Sequence, residues 1–352
     1  MPLTSEGAVS PHTVSRRNAL KWMALAGVGA LGGCASLGAT RRNDPASRRR
    51  LAPVRVSPDR VIRQVVGLRP FRRSGFLVRA DSLDDRVLVH NYGHGGGGVS
   101  LSWGTADMAA ELALASAQRV AAVVGCGAVG LATARLLQDR GFGVTIYARD
   151  LPPNTTSNIA GAQWSPVTVA DADQVTPAFE AQFVRASRFA YRYFQNMAGA
   201  RYGIAWRENY SLSSLSATPP NGGGWETPLL RDILPRAVLA PDESPFEGFR
   251  VSRFLTMHVE PSVYLAQVLQ DFRIAGGRVV LREFADARSI TALPEPVIVN
   301  CTGLSAGKLF NDTDVMPIKG QLTVVAPQPE VDYITIGPGD LYMMPRQDGI
   351  IL

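Results

Sequence analysis

Two hydrophobic patterns alternate along the chain: short apolar runs, which are typical of strands, and apolar residues at helical spacing. Short apolar runs predict buried strands, which lie at residues 87–89, 119–124, 144–148 and 249–259. Apolar residues at helical spacing predict helices, which cover residues 131–140, 179–197 and 261–275. Because strands and helices alternate, the pattern predicts an α/β fold.

The strand at 119–124 leads into a glycine-rich turn of the dinucleotide-binding type. The turn reads Gly125-Cys126-Gly127-Ala128-Val129-Gly130 and lies between a strand and a helix, with a second strand following, as the motif requires. We expect Gly125 to form the tight turn, Gly127 to admit a pyrophosphate to the backbone and Gly130 to pack the helix on the strand. The helix N terminus would then face the negative charge. The motif predicts a Rossmann-like domain.

The residues at the end of the second strand do not decide which dinucleotide binds. An acidic residue normally binds the ribose at this point, but here Arg149 comes first and Asp150 follows it. Arg149 would suit the 2′-phosphate of NADP. Asp150 could instead bind the ribose from one position further on.

The segments that follow resemble D-amino-acid oxidases, a family of FAD-dependent flavoenzymes. Residues 151–164, LPPNTTSNIAGAQW, resemble the family segment that lies along the flavin. Residues 297–303, VIVNCTG, resemble the strand that ends in a Thr-Gly pair bordering the FAD. Residues 317–321, PIKGQ, and 342–349, YMMPRQDG, also match, with Lys319 where the family has arginine. The resemblance implies FAD as the cofactor and favours Asp150 as the ribose ligand.

A second glycine-rich segment precedes the dinucleotide turn. Residues 90–104, HNYGHGGGGVSLSWG, provide backbone that tolerates φ > 0 and close approach of another group. A flexible surface loop is the alternative. Together with Gly67-Leu68-Arg69-Pro70, however, this segment is similar to the carboxy-terminal flavin-binding segment of the family, where a glycine turn lies against the isoalloxazine ring.

The resemblance therefore implies one set of FAD-binding residues. Beside the dinucleotide turn and Asp150, the set contains Gly93, His94, Gly95, Gly97, Thr155, Thr156, Ser157, Ala160, Gly161, Gln163, Trp164, Thr302 and Gly303.

The order of these segments differs from the order in the family. In the family the glycine-turn segment comes last, whereas here it precedes the dinucleotide turn, so we expect a circular permutant. The family also continues beyond the point that matches residues 350–352, which predicts either a shortened architecture or a truncated gene product. We expect residues 61–165 and 286–352 to form the FAD-binding domain in permuted order, and residues 166–285 to form an α+β substrate domain with a mixed sheet.

The resemblance implies three residues at the reacting centre. Arg69 would bind the substrate carboxylate through its guanidinium fork, and a surface ion pair is the alternative. Tyr264 resembles the active-site tyrosine that hydrogen-bonds the substrate, and a core tyrosine is the alternative. The Gly96 carbonyl would lie near the amine. The implied reaction converts D-amino acids to 2-oxo acids, ammonia and hydrogen peroxide. A flavin dehydrogenase that reduces a quinone and a non-catalytic relic are the other hypotheses.

Charge is concentrated at the N terminus. Residues 1–60 contain ten Lys/Arg and three Asp/Glu, and the remaining residues contain 26 and 27. The body is close to neutral, so nucleic acid binding has no electrostatic basis. Residues 35–60 have little apolar content and are expected to form a disordered tether.

Residues 1–34 resemble a bacterial export signal. Arg16-Arg17 precede an apolar run at 22–31 that is short for a membrane span, and small residues precede Cys34. These features resemble a twin-arginine lipoprotein signal, and a basic leader that stays attached is the alternative. Cys34 would then carry a lipid anchor on the periplasmic face of a bacterial membrane, with oxygen or a quinone as electron acceptor. Cys126 and Cys301 are expected to be core residues, and no metal site is expected.

Overall fold

The computed structural model describes residues 50–83, 86–216 and 224–352. The export signal, Cys34 and residues 35–49 of the tether lie outside the described residues. In the described part of the chain, no helix is both long and apolar enough to cross a membrane.

One sheet, which we call the parallel sheet, contains six strands in the order β2-β3-β10-β4-β5-β9. These strands are β2 (Leu77–Leu83), β3 (Arg86–Tyr92), β4 (Val120–Val124), β5 (Gly143–Ala148), β9 (Arg278–Leu281) and β10 (Val297–Asn300). Only the edge strand β2 runs antiparallel to its neighbour. In a parallel arrangement the carboxyl ends of neighbouring strands meet at one edge, so the loops after β3, β10 and β4 lie side by side.

Four long helices accompany this sheet: α1 (Gly98–Leu114), α2 (Ala128–Asp139), α4 (Pro177–Asn196) and α6 (Pro261–Ile274). The helices predicted at 131–140, 179–197 and 261–275 are confirmed. Helices α1 and α4 approach closely, since a Cβ on Gly104 would lie 1.9 Å from the Ala186 carbonyl oxygen. Beside this contact Trp103 stacks on Tyr193 with ring centroids 3.9 Å apart, within the largest apolar core.

The other sheet, which we call the antiparallel sheet, contains eight strands in the order β1-β11-β14-β13-β12-β6-β8-β7. Its strands are β1 (Val61–Arg72), β6 (Ile204–Ser214), β7 (Ala237–Val238), β8 (Phe249–Val259), β11 (Val315–Val325), β12 (Tyr333–Ile336), β13 (Tyr342–Arg346) and β14 (Gly349–Ile351). Only the β12–β6 pair is parallel. The remaining helices are short: α3 (Thr156–Ile159), α5 (Glu226–Leu229), α7 (Ala287–Thr291) and α8 (Ser305–Phe310).

Sheet membership does not follow the predicted domain boundaries. The range 166–285 supplies β6, β7 and β8 to the antiparallel sheet, but it also supplies β9 to the parallel sheet. The other strands of the antiparallel sheet come from the two ranges that the sequence assigns to the FAD-binding domain. Strand pairing, and not position along the chain, divides the two sheets.

Residues 50–60 do not behave as the predicted tether. Leu51 and Val54 pack against the apolar cluster around Tyr333. The Tyr333 hydroxyl donates to the Ala52 carbonyl at 2.8 Å, and the Arg55 N–H donates to the Gln328 side chain at 2.6 Å. The end of the predicted tether is therefore bound to the folded body.

Candidate functional site

The turn after β4 has the backbone geometry of a phosphate-binding loop. Gly125 has φ of 117°, and a Cβ on it would lie 2.4 Å from the Cys301 carbonyl oxygen. A Cβ on Gly130 would lie 2.1 Å from the Gly125 oxygen. Both positions therefore require glycine, the first for the turn and the second for the approach of α2 to the strand.

The N terminus of α2 forms a cradle for an anion. Gly127 is the N-cap and supplies no capping side chain, and a Cβ there would meet only Ser157 Oγ, at 3.0 Å. The Ala128 N–H donates to that hydroxyl at 3.0 Å. The N–H groups of Val129 and Gly130 precede the first intrahelical hydrogen bond, which Leu131 donates to the Gly127 carbonyl. They therefore have no intrahelical acceptor, and they carry the positive end of the helix dipole. A pyrophosphate fits this donor set.

Residues 155–164 connect this cradle to the antiparallel sheet. Arg346 donates to the carbonyls of Asn158 and Ala160 at 3.4 and 3.3 Å. His258 Nε2 lies 3.1 Å from the Gly161 carbonyl oxygen. Burial lowers the pKa of His258 to about 4, so the imidazole is neutral at pH 7 and donates this hydrogen bond. The Trp164 N–H donates to the Met257 carbonyl at 2.7 Å, which ties the end of the segment to β8.

The remaining positions of this segment are held by local contacts. The Thr155 hydroxyl bonds the Asn158 side chain at 2.8 Å, and Thr156 begins α3. Gln163 and Trp164 are buried, and Gln163 forms a bridge with His258 of β8. The segment predicted to lie along a flavin is thus fixed on both sides.

Asp150 and Thr302 follow the ends of β5 and β10. Asp150 pairs with Arg149 at 2.7 Å, and both side chains are exposed. The Thr302 hydroxyl donates to the Asn300 side chain at 2.7 Å. Gly303 has φ of 58° and lies beside Pro70 of β1.

The second glycine segment forms a buried turn between β3 and α1. Gly93 and Gly95 have φ of 87° and 55°, and these residues, His94 and Gly97 are buried, which excludes a flexible surface loop. The Gly96 N–H donates to the Thr168 carbonyl at 2.9 Å. Because β3, β10 and β4 are parallel neighbours, this turn lies on the same sheet edge as Gly125.

His94 stabilises this turn and does not titrate near neutral pH. Its Nε2 lies 2.9 Å from the Thr105 hydroxyl, and its ring stacks on Phe76 at 5.3 Å. Burial lowers its pKa to about 3, so the ring is neutral.

Arg69 reaches this edge from β1. Phe71, two residues further along the strand, forms a bridge with His94, so β1 runs beside the glycine turn. The Arg69 guanidinium lies over Gly320, where a Cβ would be 3.3 Å from Nη2. It also lies close enough to the Tyr342 hydroxyl for its positive charge to lower the pKa of that group. In the described part of the chain no carboxylate forms an ion pair with Arg69, which argues against the surface ion pair.

Comparison with known sequences decides the family. Residues 121–352 match the family described as DAO, FAD dependent oxidoreductase. The chain belongs to this family. The cofactor is accordingly FAD and not NADP, whereas the binding of its ribose by Asp150 stays a prediction. The protein is an FAD-dependent oxidoreductase of the class that acts on CH–NH2 donors.

The DAO-family chain is similar to curated amino acid oxidases over part of their length. It is 32% identical over 238 residues to the D-amino-acid oxidase of Rubrobacter xylanophilus, covering 66% of this chain and 68% of that protein. It is 26% identical to the D-amino-acid oxidase of Dictyostelium discoideum, covering 65% and 64%. The crystal structure of glycine oxidase from Bacillus cereus superposes with a TM-score of 0.48 at 15% identity, covering 66% and 70%. The chain spans about two thirds of the length of these relatives.

The cradle residues fit the FAD of the DAO family. In this chain the α2 N terminus would hold the pyrophosphate, and the glycine turn at 93–97 and the segment at 157–164 would flank the ring system. Cys126 and Cys301 are buried free thiols whose pKa burial raises to about 12, as expected of core residues. Among the described residues no cluster of three or more His, Cys, Asp or Glu side chains could bind a metal.

The structure places Tyr264 in the helical core. This side chain is 1% exposed on α6 and packs on Phe194 with ring centroids 5.6 Å apart, close to Ser102 and Trp103. The side chain is thus part of the helical core, but its hydroxyl has no hydrogen-bond partner among the described residues, so its role toward a substrate stays a prediction. The tyrosine beside Arg69 is Tyr342, which in sequence stands out only as part of the family-like segment 342–349. That match was the signal for it, but the pairing depends on β1, β11 and β13 entering one sheet.

Proposed function

We propose that this protein oxidises D-amino acids to 2-oxo acids, with release of ammonia and hydrogen peroxide. The observation that carries the proposal is the Arg69–Tyr342 pair, which lies beside the glycine turn and faces the FAD segment. Gly161 links the two, because a Cβ on it would lie 3.8 Å from the Tyr342 ring and 2.7 Å from Met344 Sδ. The D-amino-acid oxidase relatives support the same reaction.

Arg69 and Tyr342 are suited to hold the substrate carboxylate. A guanidinium donates two parallel N–H groups to a carboxylate, and the Tyr342 hydroxyl adds a third donor. Both side chains are half-buried, and the reduced access of water strengthens a charge-assisted hydrogen bond. Burial raises the pKa of Tyr342 while the Arg69 charge lowers it in part, so the hydroxyl stays protonated and can donate.

When bound, FAD would supply the acceptor for the hydride that leaves the substrate Cα. The residues of this chain would orient that carbon: Arg69 and Tyr342 through the carboxylate, and the Gly96 carbonyl through the amine. The resulting imino acid is hydrolysed by water to a 2-oxo acid and ammonia, and oxygen accepts the two electrons as hydrogen peroxide. No side chain is required as a base if the amine has lost its proton beforehand. The neutral His94 and His258 are therefore structural.

The N-terminal residues suggest where this reaction occurs. We propose export by a twin-arginine signal and anchoring through Cys34 at the periplasmic face of a bacterial membrane, where a quinone could replace oxygen as acceptor. Measuring peroxide formed under air against reduction of a soluble quinone would distinguish the two acceptors. We also propose that the family's segments occur in circularly permuted order in this chain. Two strand pairings support this: β1 and β3 precede the matched range 121–352, yet they pair with β11 and β10 inside it.

Anaerobic flavin reduction tests the proposed function. The purified protein is mixed with a panel of D- and L-amino acids, and the visible flavin absorbance is recorded. We expect D-amino acids to bleach the flavin and L-amino acids to leave it oxidised. A flavin-loaded protein that no D-amino acid reduces would refute the proposal.

A further inference from the structure

One face of β6 carries polar residues. Arg207, Asn209 and Ser211 alternate along the strand and so share a face. Their partners on β8 include Thr256, opposite Arg207. The Thr256 hydroxyl donates to the Trp164 carbonyl at 2.7 Å, so this is the face that meets the FAD segment.

The same face continues to the carboxylate-binding pair. Strand β12 pairs Ile336 with Ser211, and β13 pairs Tyr342 with Ile336. Neighbouring strands are about 4.8 Å apart, which puts Ser211 roughly 10 Å from Tyr342 across the sheet. A single amino acid substrate is therefore short enough to contact side chains near Ser211 at one end and Tyr342 at the other.

Asn209 is buried without a partner on this face. It is 0% exposed, and neither its Oδ1 nor its Nδ2 has a hydrogen-bond partner among the described residues. A buried amide left unpaired is costly, so both polar atoms of Asn209 are available to complete hydrogen bonds with a ligand that enters beside this face.

Arg236 lies next to this amide. Its guanidinium stacks on the Phe254 ring at 3.9 Å, and Phe254 is the residue directly opposite Asn209. Its Nη1 lies 3.5 Å from the Ser211 hydroxyl, while its buried Nε has no partner in the described structure. Arg207, on the other side of Asn209, also has a buried Nε without a partner.

The only acid that lines the same cavity as Arg236, within the described residues, is Glu226. This cavity is also lined by Ser165 and Val167, the residues that directly follow the FAD segment. The Glu226 carboxylate faces the Val169 N–H at 3.4 Å and forms no ion pair with Arg236 in the described structure. Burial raises its pKa, which favours the uncharged acid. Within this cavity Arg236 therefore carries the dominant charge, which is positive.

We propose that Arg236 and Asn209 bind a second carboxylate, at the end of the substrate side chain, so that the preferred substrates are acidic D-amino acids. This inference rests on the proposed function. Arg69 and Tyr342 hold the α-carboxylate, Arg236 donates to the side-chain carboxylate, and the Asn209 amide donates a further hydrogen bond. Arg207 adds positive charge from the far side of Asn209.

Paired acid and amide substrates test this specificity in the holoenzyme. The values of kcat/KM are compared for D-glutamate against D-glutamine and for D-aspartate against D-asparagine, pairs of nearly equal shape that differ in charge. We expect the acids to be preferred at least about tenfold, the discrimination expected of a desolvated charge pair. Arg236→Met should remove that preference by lowering only the values for the acids, and Arg236→Lys should keep part of it.

Arg253→Met is the matched control. Arg253 is on the same strand as Phe254 but on the opposite face of the sheet, 3.9 Å from Glu208 and 44% exposed. This variant should leave both members of each substrate pair unchanged, and flavin absorbance checks that each variant is folded.

Three results would overturn the inference: acid and amide substrates used equally, an equal loss for both in Arg236→Met, or a preference for D-lysine, which would make Glu226 the dominant group. If D-alanine reduces the flavin and the acids have no advantage, this inference fails and the proposed function stands. If no D-amino acid reduces the flavin, the proposed function itself fails.

Discussion

Replacing Arg69 by leucine tests the carboxylate site most directly. The substitution removes both guanidinium N–H donors and the positive charge, and it leaves the Tyr342 hydroxyl without its cationic neighbour. Losing one partner of a desolvated, hydrogen-bonded charge pair costs about 2–5 kcal/mol. Because each 1.36 kcal/mol is a factor of ten, kcat/KM should fall roughly 30- to 5000-fold. The FAD cradle does not contain Arg69, so flavin content should not change.

The assay is anaerobic flavin reduction over a range of D-amino acid concentrations, with absorbance per protein as the measure of bound flavin. Arg55→Leu is the control, because Arg55 forms a surface ion pair with Glu330 and is 61% exposed. Such a pair contributes at most about 1 kcal/mol to stability, and the control should retain wild-type kinetics. Wild-type kcat/KM in Arg69→Leu would refute the carboxylate assignment, and loss of flavin in that variant would show that Arg69 supports the cofactor site instead.

Three further outcomes follow from the same geometry. Tyr342→Phe should lower kcat/KM about 10- to 150-fold with flavin retained, since a hydrogen bond to a charged group contributes about 1.5–3 kcal/mol; unchanged kinetics would remove Tyr342 from the site. Gly130→Ala should abolish flavin binding because its Cβ would overlap main chain at 2.1 Å, whereas Gly143→Ala, whose Cβ would meet nothing nearer than 4.0 Å, should bind flavin normally. Burial raises the pKa of Glu260 from 4.5 to about 7, so the folded state holds its proton more tightly than the unfolded state. This contribution to stability is complete below pH 4.5 and is lost as the pH rises to 7. In urea unfolding, the free energy of unfolding of the wild type should therefore fall between these pH values by up to about 3 kcal/mol more than that of Glu260→Gln. Equal pH dependence of the two proteins would contradict this.

Much of the cofactor site could be predicted from the residues alone. The roles of Gly125 and Gly130 follow from what a strand, turn and helix require locally. In the structure, a Cβ added at these two positions would lie only 2.4 and 2.1 Å from main-chain oxygens. The glycine turn at 93–97 was also recognisable, because a run of glycine after a strand is costly unless another group lies against it.

The substrate end of the site could not be predicted in the same way. Tyr264 and Tyr342 are both plausible tyrosines in sequence, and one is in the helical core while the other contacts Arg69. No local sequence pattern indicates that Asn209 and Arg236 lie together, because Asn209 is on β6 and Arg236 is in the loop before β7.

The sequence by itself determined the two glycine turns, because each depends on backbone geometry within a few consecutive residues, and through the similarity of its motifs to known sequences it determined the family and the FAD. Only the tertiary structure decided which strands join which sheet, and hence that Arg69, Tyr342, Asn209 and Arg236 share one face. The physical reason is that strand pairing is a long-range interaction: β1 meets β11 across most of the chain, and the residues that this pairing assembles carry no mark of it in their local sequence.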